Sequence, residues 1–368
     1  MRSQKTNNVT LQYPDRLAFA FNPFLVIAKL DAGLKSIAVT IKCGDTTASV
    51  SYDAFNGTAY ADLREFLQSL FDGVQFGVDY TAESKLTDLG KAVDFTVVCT
   101  AADDDATTTT FTFSTFVIWG ALQPGETYND LRTVTYFVGF PFTFGIYTDG
   151  GGTLIYKRDG VPSAYVTLPD AQGVYNIKIP SALLPLRYFD VCTFDGQLTL
   201  ATFDNTFDMT FHASGNGTST KKLRINVVKG IDDGVYLRWV DRFGFYCYYL
   251  FKRGDQTRQT AVSDNFLRNN LLDYNQEYGY QMGAGNRRVK QRADTWALCA
   301  PNVDADQYDA LQDLTTSPVV DMLRGYDDDG APKWVAVNIE AGSFVKTNAA
   351  LQDFVVNMTL QAVPIQTL

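Results

Sequence analysis

A chain of 368 residues, 46% hydrophobic and 20% charged, has a globular composition and the length for about two or three cores at the usual domain size. Its formal charge of −10 and pI near 4.7 exclude a nucleic-acid groove or an anionic membrane surface as the default partner, because both call for clustered Lys and Arg. Aromatics at 14%, with threonine runs such as Thr107–Thr110, favour pleated, half-buried surfaces, so the predicted class is mainly β: sandwich or barrel modules with a few short helices.

The first segment, within residues 1–120, alternates apolar and polar residues at Leu17–Phe21, Phe24–Lys29, Ile37–Cys43 and Thr47–Tyr52, with turn residues between them. A helix is predicted over Ala59–Phe71, because Tyr60, Leu63, Leu67 and Leu70 recur at helical spacing and Thr58 is placed to cap it. Strands at Val93–Thr100 and Thr110–Ile118 flank the acidic loop Ala102–Ala106. The second segment, within 121–215, has short strands from Thr133–Val138 to Thr206–His212, spaced as in a β-sandwich. Ser214–Lys222 reads as a linker.

The third segment, within 216–368, opens with Leu223–Lys229 and then a hairpin, Val235–Gly254, turning at Asp241–Gly244. Its second strand carries Phe245, Cys247, Tyr249 and Phe251 on one side and Tyr246, Tyr248 and Leu250 on the other, so both faces need cover. A short helix at Ser263–Leu272 and a strand at Val289–Leu298 follow. Asp304, with Gln307 three residues on and Tyr308, Leu311 and Leu314 behind it, marks the strongest helix start in the chain, and Ser317-Pro318 ends it. Strands at Val319–Arg324, Trp334–Ile339 and Phe354–Ala362 complete a sheet expected to close around that helix.

Catalytic and metal chemistry find little material. The single histidine, His212, is read as a strand-end residue rather than a base for Ser214, and one His with five dispersed Cys leaves no zinc set. The clusters Asp103–Asp105 and Asp327–Asp329 lack the alternating calcium-loop pattern and read as solvated turns. Gly150–Gly152 and Gly283–Asn286 lack the following helix of a phosphate cradle and read as hairpin loops. No acid and base pair of carboxylates stands out, so no enzyme, cofactor or metal is expected. The five cysteines sit in apolar runs and read as reduced core thiols. Met1–Asn8 has no apolar leader, and no run of about 18 apolar residues is present, so neither a signal peptide nor a membrane span is expected.

Three stretches of the third segment carry a family resemblance: Leu237-Arg-Trp-Val-Asp-Arg-Phe-Gly-Phe-Tyr-Cys-Tyr-Tyr-Leu-Phe; Ala297-Leu-Cys-Ala with the Asp304–Leu314 helix and Thr316-Ser-Pro-Val-Val; and Val335-Ala-Val-Asn-Ile through Lys346-Thr-Asn to Phe354-Val-Val-Asn-Met-Thr-Leu. In order and spacing they resemble virion tail and baseplate proteins, of the distal-tail kind, from tailed phages that infect Bacteroidetes-type bacteria. The chain departs from that pattern at Val240-Asp241, where the family has Leu-Asn.

The resemblance implies a non-enzymatic virion protein of the tail tip or baseplate, made in the host cytoplasm. Its C-terminal domain would be tail-tube-like, a barrel or sandwich with one packed helix. Its partners would be other virion proteins and copies of itself in a hexameric ring, with no direct nucleic-acid binding and no membrane insertion. Subunit contacts are expected at Trp239, Arg242, Phe243 and Tyr246 of the hairpin. Arg287 and Arg288 are expected to add a basic patch facing an acidic neighbour. A second expectation is host-surface glycan recognition, with Tyr136, Phe140, Phe142, Phe144, Tyr147 and Tyr156 stacking on sugar rings unless they are core.

Overall fold

The computed structural model describes residues 1–30, 33–123, 132–184, 186–195, 218–267, 286–360 and 363–366. The protein is mainly β: its described residues form several sheets, with α-helices only at Arg64–Ser69 and Ala305–Thr316 and a single 3-10 turn at Ser181–Leu183. The chain divides into two compact units. One comprises Met1–Lys229 with Val240–Tyr248, the other Gly230–Trp239 with Tyr249–Leu368.

The first unit begins with a four-stranded sheet, in the order Arg2–Thr6, Val9–Tyr13, Leu25–Leu30, Thr58–Asp62. A five-stranded sheet follows, in the order Leu17–Phe19, Thr108–Ile118, Gly90–Ala101, Leu34–Cys43, Thr46–Asp53. Alternation does the work in both. In Thr108–Ile118 every second side chain is buried up to Thr115, and Phe111 and Phe113 meet Ile37, Val39, Phe95 and Leu11 in one shared core.

The predicted helix at Ala59–Phe71 is a strand followed by one and a half turns of helix. Ala59 and Ala61 are fully buried while Tyr60 is 63% exposed, which is the period of a strand. Asp62 ends the strand, and the helix begins after Leu63, at Arg64. Asp62 Oδ1 accepts from the backbone N–H of Arg64 at 3.1 Å and of Phe24 at 3.2 Å.

A second five-stranded sheet runs Arg132–Val138, Thr218–Lys229, Tyr188–Asp195, Thr153–Arg158, Val161–Thr167. A three-stranded sheet, Phe144–Thr148, Gly173–Ile177, Ser84–Leu86, accompanies it. Phe144 of the smaller sheet meets Tyr156 of the larger edge-on at 6.3 Å, and Tyr156 meets Phe189 at 5.7 Å.

Two sequence expectations change here. Thr218–Lys229 is a strand paired with Arg132–Val138 and Tyr188–Asp195, so the stretch read as linker is ordered sheet from Thr218 and belongs with the middle segment. Gly150–Gly152, read as a hairpin loop, carries the chain from one sheet to the other, and all three glycines adopt positive φ. The expected strand Thr206–His212, with His212 and Ser214, and the loop Gly283–Gly285 lie outside the described residues.

The second unit is built on a seven-stranded sheet in the order Tyr246–Leu267, Gly234–Val240, Val320–Tyr326, Pro332–Ile339, Gln352–Leu360, Asn286–Val303, Val363–Gln366, of which only Val240 and Tyr246–Tyr248, next to the hairpin turn, are counted with the first unit. The first and sixth strands of that order also pair, from Lys252 with Cys299 to Leu267 with Asn286, so those six strands close into a ring. Ser263–Leu267, expected to start a helix, is the end of the first of these strands; the remainder, 268–272, is outside the described residues.

The helix Ala305–Thr316 starts where the sequence places it. Asp304 Oδ1 accepts from the Gln307 N–H at 2.8 Å, and Tyr308, Leu311 and Leu314 are buried. Tyr308 packs edge-on to Phe354 at 5.2 Å, and Phe354 lies 6.5 Å from Phe251. Arg238 and Asp321, opposite each other in register, form a buried ion pair at 2.9 Å, with the guanidinium 4.5 Å from the Trp334 ring centroid.

Candidate functional site

The hairpin turn of the first unit is held by a buried carboxylate. Asp241, 4% exposed, accepts with Oδ1 from the N–H groups of Phe243 at 2.9 Å and Phe245 at 2.8 Å, and with Oδ2 from Arg132 Nη1 at 3.1 Å and the Cys247 thiol at 3.5 Å. Burial raises the pKa of its carboxyl, and Arg132 and the two N–H groups pull in the opposite direction. Arg132 also donates Nη2 to the carbonyl of Gly145 at 2.7 Å and stacks 4.3 Å from the Phe245 ring centroid. Both carboxylate oxygens of Asp241 are used in holding the turn, and Arg132 reaches it with Nη1 while its buried Nε makes no hydrogen bond. The arrangement is structural.

The hairpin residues expected at a subunit contact do not share one surface. Trp239 is 2% exposed and belongs to the second unit, whereas Arg242, Phe243 and Tyr246 belong to the first. Tyr246 is 3% exposed, so neither it nor Trp239 offers area to a neighbour. Arg242 is half-buried, its guanidinium 5.0 Å from the Phe243 ring and its carbonyl accepting from the Ala121 N–H at 2.8 Å. Phe243 packs on the cluster of Phe19, Phe116, Ile118, Val174 and Phe245. Arg287 and Arg288 lie on the strand Asn286–Val303, opposite Phe266 and Asn265; their side chains are outside the described set. Both faces of the aromatic strand Phe245–Phe251 are covered within the chain, Tyr249 alone being half-buried.

The acidic loops are turn caps. Asp103 Oδ1 accepts from the Thr107 N–H at 2.8 Å, and Asp327 Oδ1 from those of Asp329 and Ala331 at 3.1 and 2.7 Å.

A cleft of about 450 Å³ in the first unit gathers a different set of groups. Tyr136 reaches it from the strand Arg132–Val138, and Phe140, Pro141 and Phe142 from the turn that follows. Tyr80, Thr81 and Glu83 come from the loop before Ser84–Leu86, and Lys178 to Ser181 from the exit of Gly173–Ile177. The loop is fixed by Asp79, whose Oδ1 accepts from the hydroxyl and N–H of Thr81 at 2.6 and 2.8 Å and from the Ala82 N–H at 3.2 Å. Those bonds hold the Asp79 carboxyl down at about 2. A backbone bond from the Lys178 N–H to the Glu83 carbonyl, 3.0 Å, ties the two rims together.

The aromatic floor is braced from beneath. Phe142 lies 5.2 Å from Tyr136 and 5.3 Å from Tyr248. The Tyr248 hydroxyl hydrogen-bonds Thr143 Oγ1 at 3.0 Å and donates to the Tyr80 hydroxyl at 3.4 Å. Of the six aromatics singled out in the middle segment, Tyr136, Phe140 and Phe142 meet here. Phe144 and Tyr156 are core, and Tyr147 is half-buried against Phe116, with its hydroxyl bonded to Asp149 and Gln172. The sequence reading missed Tyr80, Glu83 and Lys178, which no local pattern links to Tyr136.

Comparison of the sequence with protein-family models and with curated proteins gives no match. Among solved structures, the chain is similar to one described under host cell surface retention of a 1.5-MDa bacterial ice-binding adhesin. The identity is 12% over 89% of this chain and 95% of that one, with a TM-score of 0.20. It is also similar to the periplasmic chaperone SfaE, at 12% identity over 60% of this chain and 100% of that one, with a TM-score of 0.19. At such scores neither likeness bears on function. Among the described residues no helix is long and apolar enough to cross a membrane.

Proposed function

We propose that the chain is a non-enzymatic structural protein of a tailed-phage virion, of the tail-tip or baseplate kind, and that it works by assembling with copies of itself and with other virion proteins. One observation carries this reading: the three stretches with the tail-protein resemblance converge on the second unit, in a ring of paired strands with one capped helix against it. Only the hairpin turn, Val240–Tyr248, falls outside that unit. A closed ring leaves few unpaired edges, so subunit contacts would be made by exposed side chains and by the strand Val363–Gln366, which pairs with the ring outside its closed circuit. Val335, Val345, Leu351 and Val355, between 42% and 74% exposed, supply apolar area on the second unit for such contacts.

Light scattering on the full chain at rising concentration, with electron microscopy of the same sample, tests the reading. A closed ring supports it. A monomer at high concentration, with no counterpart in the density of a virion, overturns it.

A further inference from the structure

The chemistry of the cleft beside Tyr136 is that of a small-ligand site. Four aromatic side chains, Tyr80, Tyr136, Phe140 and Phe142, share one concavity with two hydroxyl side chains, Thr81 and Ser181, one carboxylate, Glu83, and one ammonium, Lys178. Its volume of about 450 Å³ lies within the range of small-ligand sites. Tyr80, Tyr136 and Phe140 line the cleft and are half-buried, while Phe142 is 8% exposed and supports the floor.

We infer that this cleft binds a neutral saccharide, one or more pyranose rings of an oligosaccharide, by stacking sugar faces on Tyr136, Phe140 and Tyr80 and bonding hydroxyls to Thr81, Glu83, Lys178 and Ser181. The physical grounds are three. An aromatic ring carries a negative face, and the C–H groups on one face of a pyranose present the weak positive charge that such a face attracts. Each sugar hydroxyl both donates and accepts, and the rim offers acceptors on Glu83 and donors on Lys178 together with hydroxyls that do either. One carboxylate against one ammonium leaves no excess positive charge, and the chain carries −10 overall, which argues against a phosphate or sulfate ligand. The floor is also held in place without a ligand, because Phe142 is backed by Tyr248 and the Tyr80 loop is locked by Asp79. A preformed site loses less entropy on binding than one that must order itself.

A proline-rich peptide also lies on aromatic grooves but uses few charged partners. The test separates the two. The full chain is titrated calorimetrically with maltohexaose, cellohexaose and chitohexaose, and with hexaproline. Saturable binding of at least one oligosaccharide is expected. Phe140→Ala should weaken it about tenfold, the worth of one ring stack. Lys178→Ala, at an exposed position that cannot unsettle the core, should weaken it about threefold or more, the worth of one surface hydrogen bond. Tyr136→Phe should keep most of the affinity, because the stacking face remains. No binding of any of the three sugars to folded protein, binding of hexaproline instead, or wild-type affinity in both Phe140→Ala and Lys178→Ala would overturn the inference. None of these outcomes depends on whether the chain forms a ring.

Discussion

Arg132 Nη1 lies 3.1 Å from Asp241 Oδ2, an ion pair whose carboxylate is 4% exposed and which joins the first strand of the middle sheet to the turn of the aromatic hairpin. Removing either partner strands the other, and breaking a buried pair from one side costs about 3–5 kcal/mol. Asp241→Ala is expected at the upper end, because it also unpairs the N–H groups of Phe243 and Phe245. Arg132→Met should lose less, since its aliphatic stem keeps cover over Phe245. Urea unfolding of the two variants and of the double variant measures the coupling. A sum of independent losses would show that the pair does not act as one unit.

Gly145 is fixed by the same turn. A methyl group there would sit 2.4 Å from Phe245 Cδ1 and 2.8 Å from its Cβ and Cγ, and Phe245 is 1% exposed with nowhere to move. Gly145→Ala should cost about 1–3 kcal/mol by overpacking. The double variant Gly145→Ala with Phe245→Leu is expected to recover part of the Gly145→Ala loss, and thermal melts of both, compared with Phe245→Leu alone, decide it.

What could be read from the sequence follows how each element is held. Strands such as Thr108–Ile118 announce themselves, because burial on one face forces alternation and large residues mark it. The Asp304 helix does so too, through a cap that needs one acceptor and one N–H three residues on. Ala59–Phe71 misleads because its buried strand positions are alanines, whose small side chains carry little hydrophobic signal, while the conspicuous Tyr60 faces solvent. The cleft is legible only in part. Tyr136, Phe140 and Phe142 are neighbours in sequence, but Tyr80 and Lys178 arrive through pairings that join Ser84–Leu86 to Gly173–Ile177. Trp239 and Tyr246, bulky and aromatic, look like contact residues and prove to be core.

Acid should weaken both units. In the first, Asp190 accepts from Arg224 Nε at 2.8 Å and Lys221 Nζ lies 3.0 Å away, and these partners lower its pKa below the usual 3.8. In the second, Asp294 bonds Arg292 and Arg258, which hold it at about 2. A carboxyl with a lower pKa folded than unfolded adds stability above the unfolded value and loses it as pH falls through the folded one. The urea midpoint should therefore hold between about pH 6 and pH 4 and drop below that, toward pH 2. Asp190→Asn and Asp294→Asn should each flatten part of the fall, and an unchanged slope in both would remove these carboxylates from the account.

The thiols should differ in reactivity. Burial pushes Cys99 up to about 11 and raises Cys192 and Cys299, so little thiolate, the attacking form, exists at neutral pH. Cys43 is half-buried near the end of its strand. With a disulfide reagent on the folded protein, Cys43 should be modified first and Cys99 only on unfolding. Modification of Cys99 at the rate of Cys43 would mean that the sandwich core opens locally.

The helix at Asp304 separates two contributions that the sequence pattern runs together. Its cap supplies one side-chain bond, from the Gln307 N–H, while the Asp304 carbonyl accepts from Tyr308 at 2.9 Å. Asp304→Ala loses only the former, and cap deletions cost about 1 kcal/mol. Leu314 is fully buried on the same helix, and Leu314→Ala should cost about 2–5 kcal/mol through lost burial and the cavity left behind. Asp304→Ser should restore most of the capping loss and leave Leu314→Ala unaffected, because a hydroxyl can accept the same N–H. Melting curves of the three variants test this ordering. If Asp304→Ala costs as much as Leu314→Ala, the helix start is tied to the sheet by more than its cap, and the bond between the Tyr308 hydroxyl and the Val345 carbonyl, 3.1 Å, is the next contact to delete.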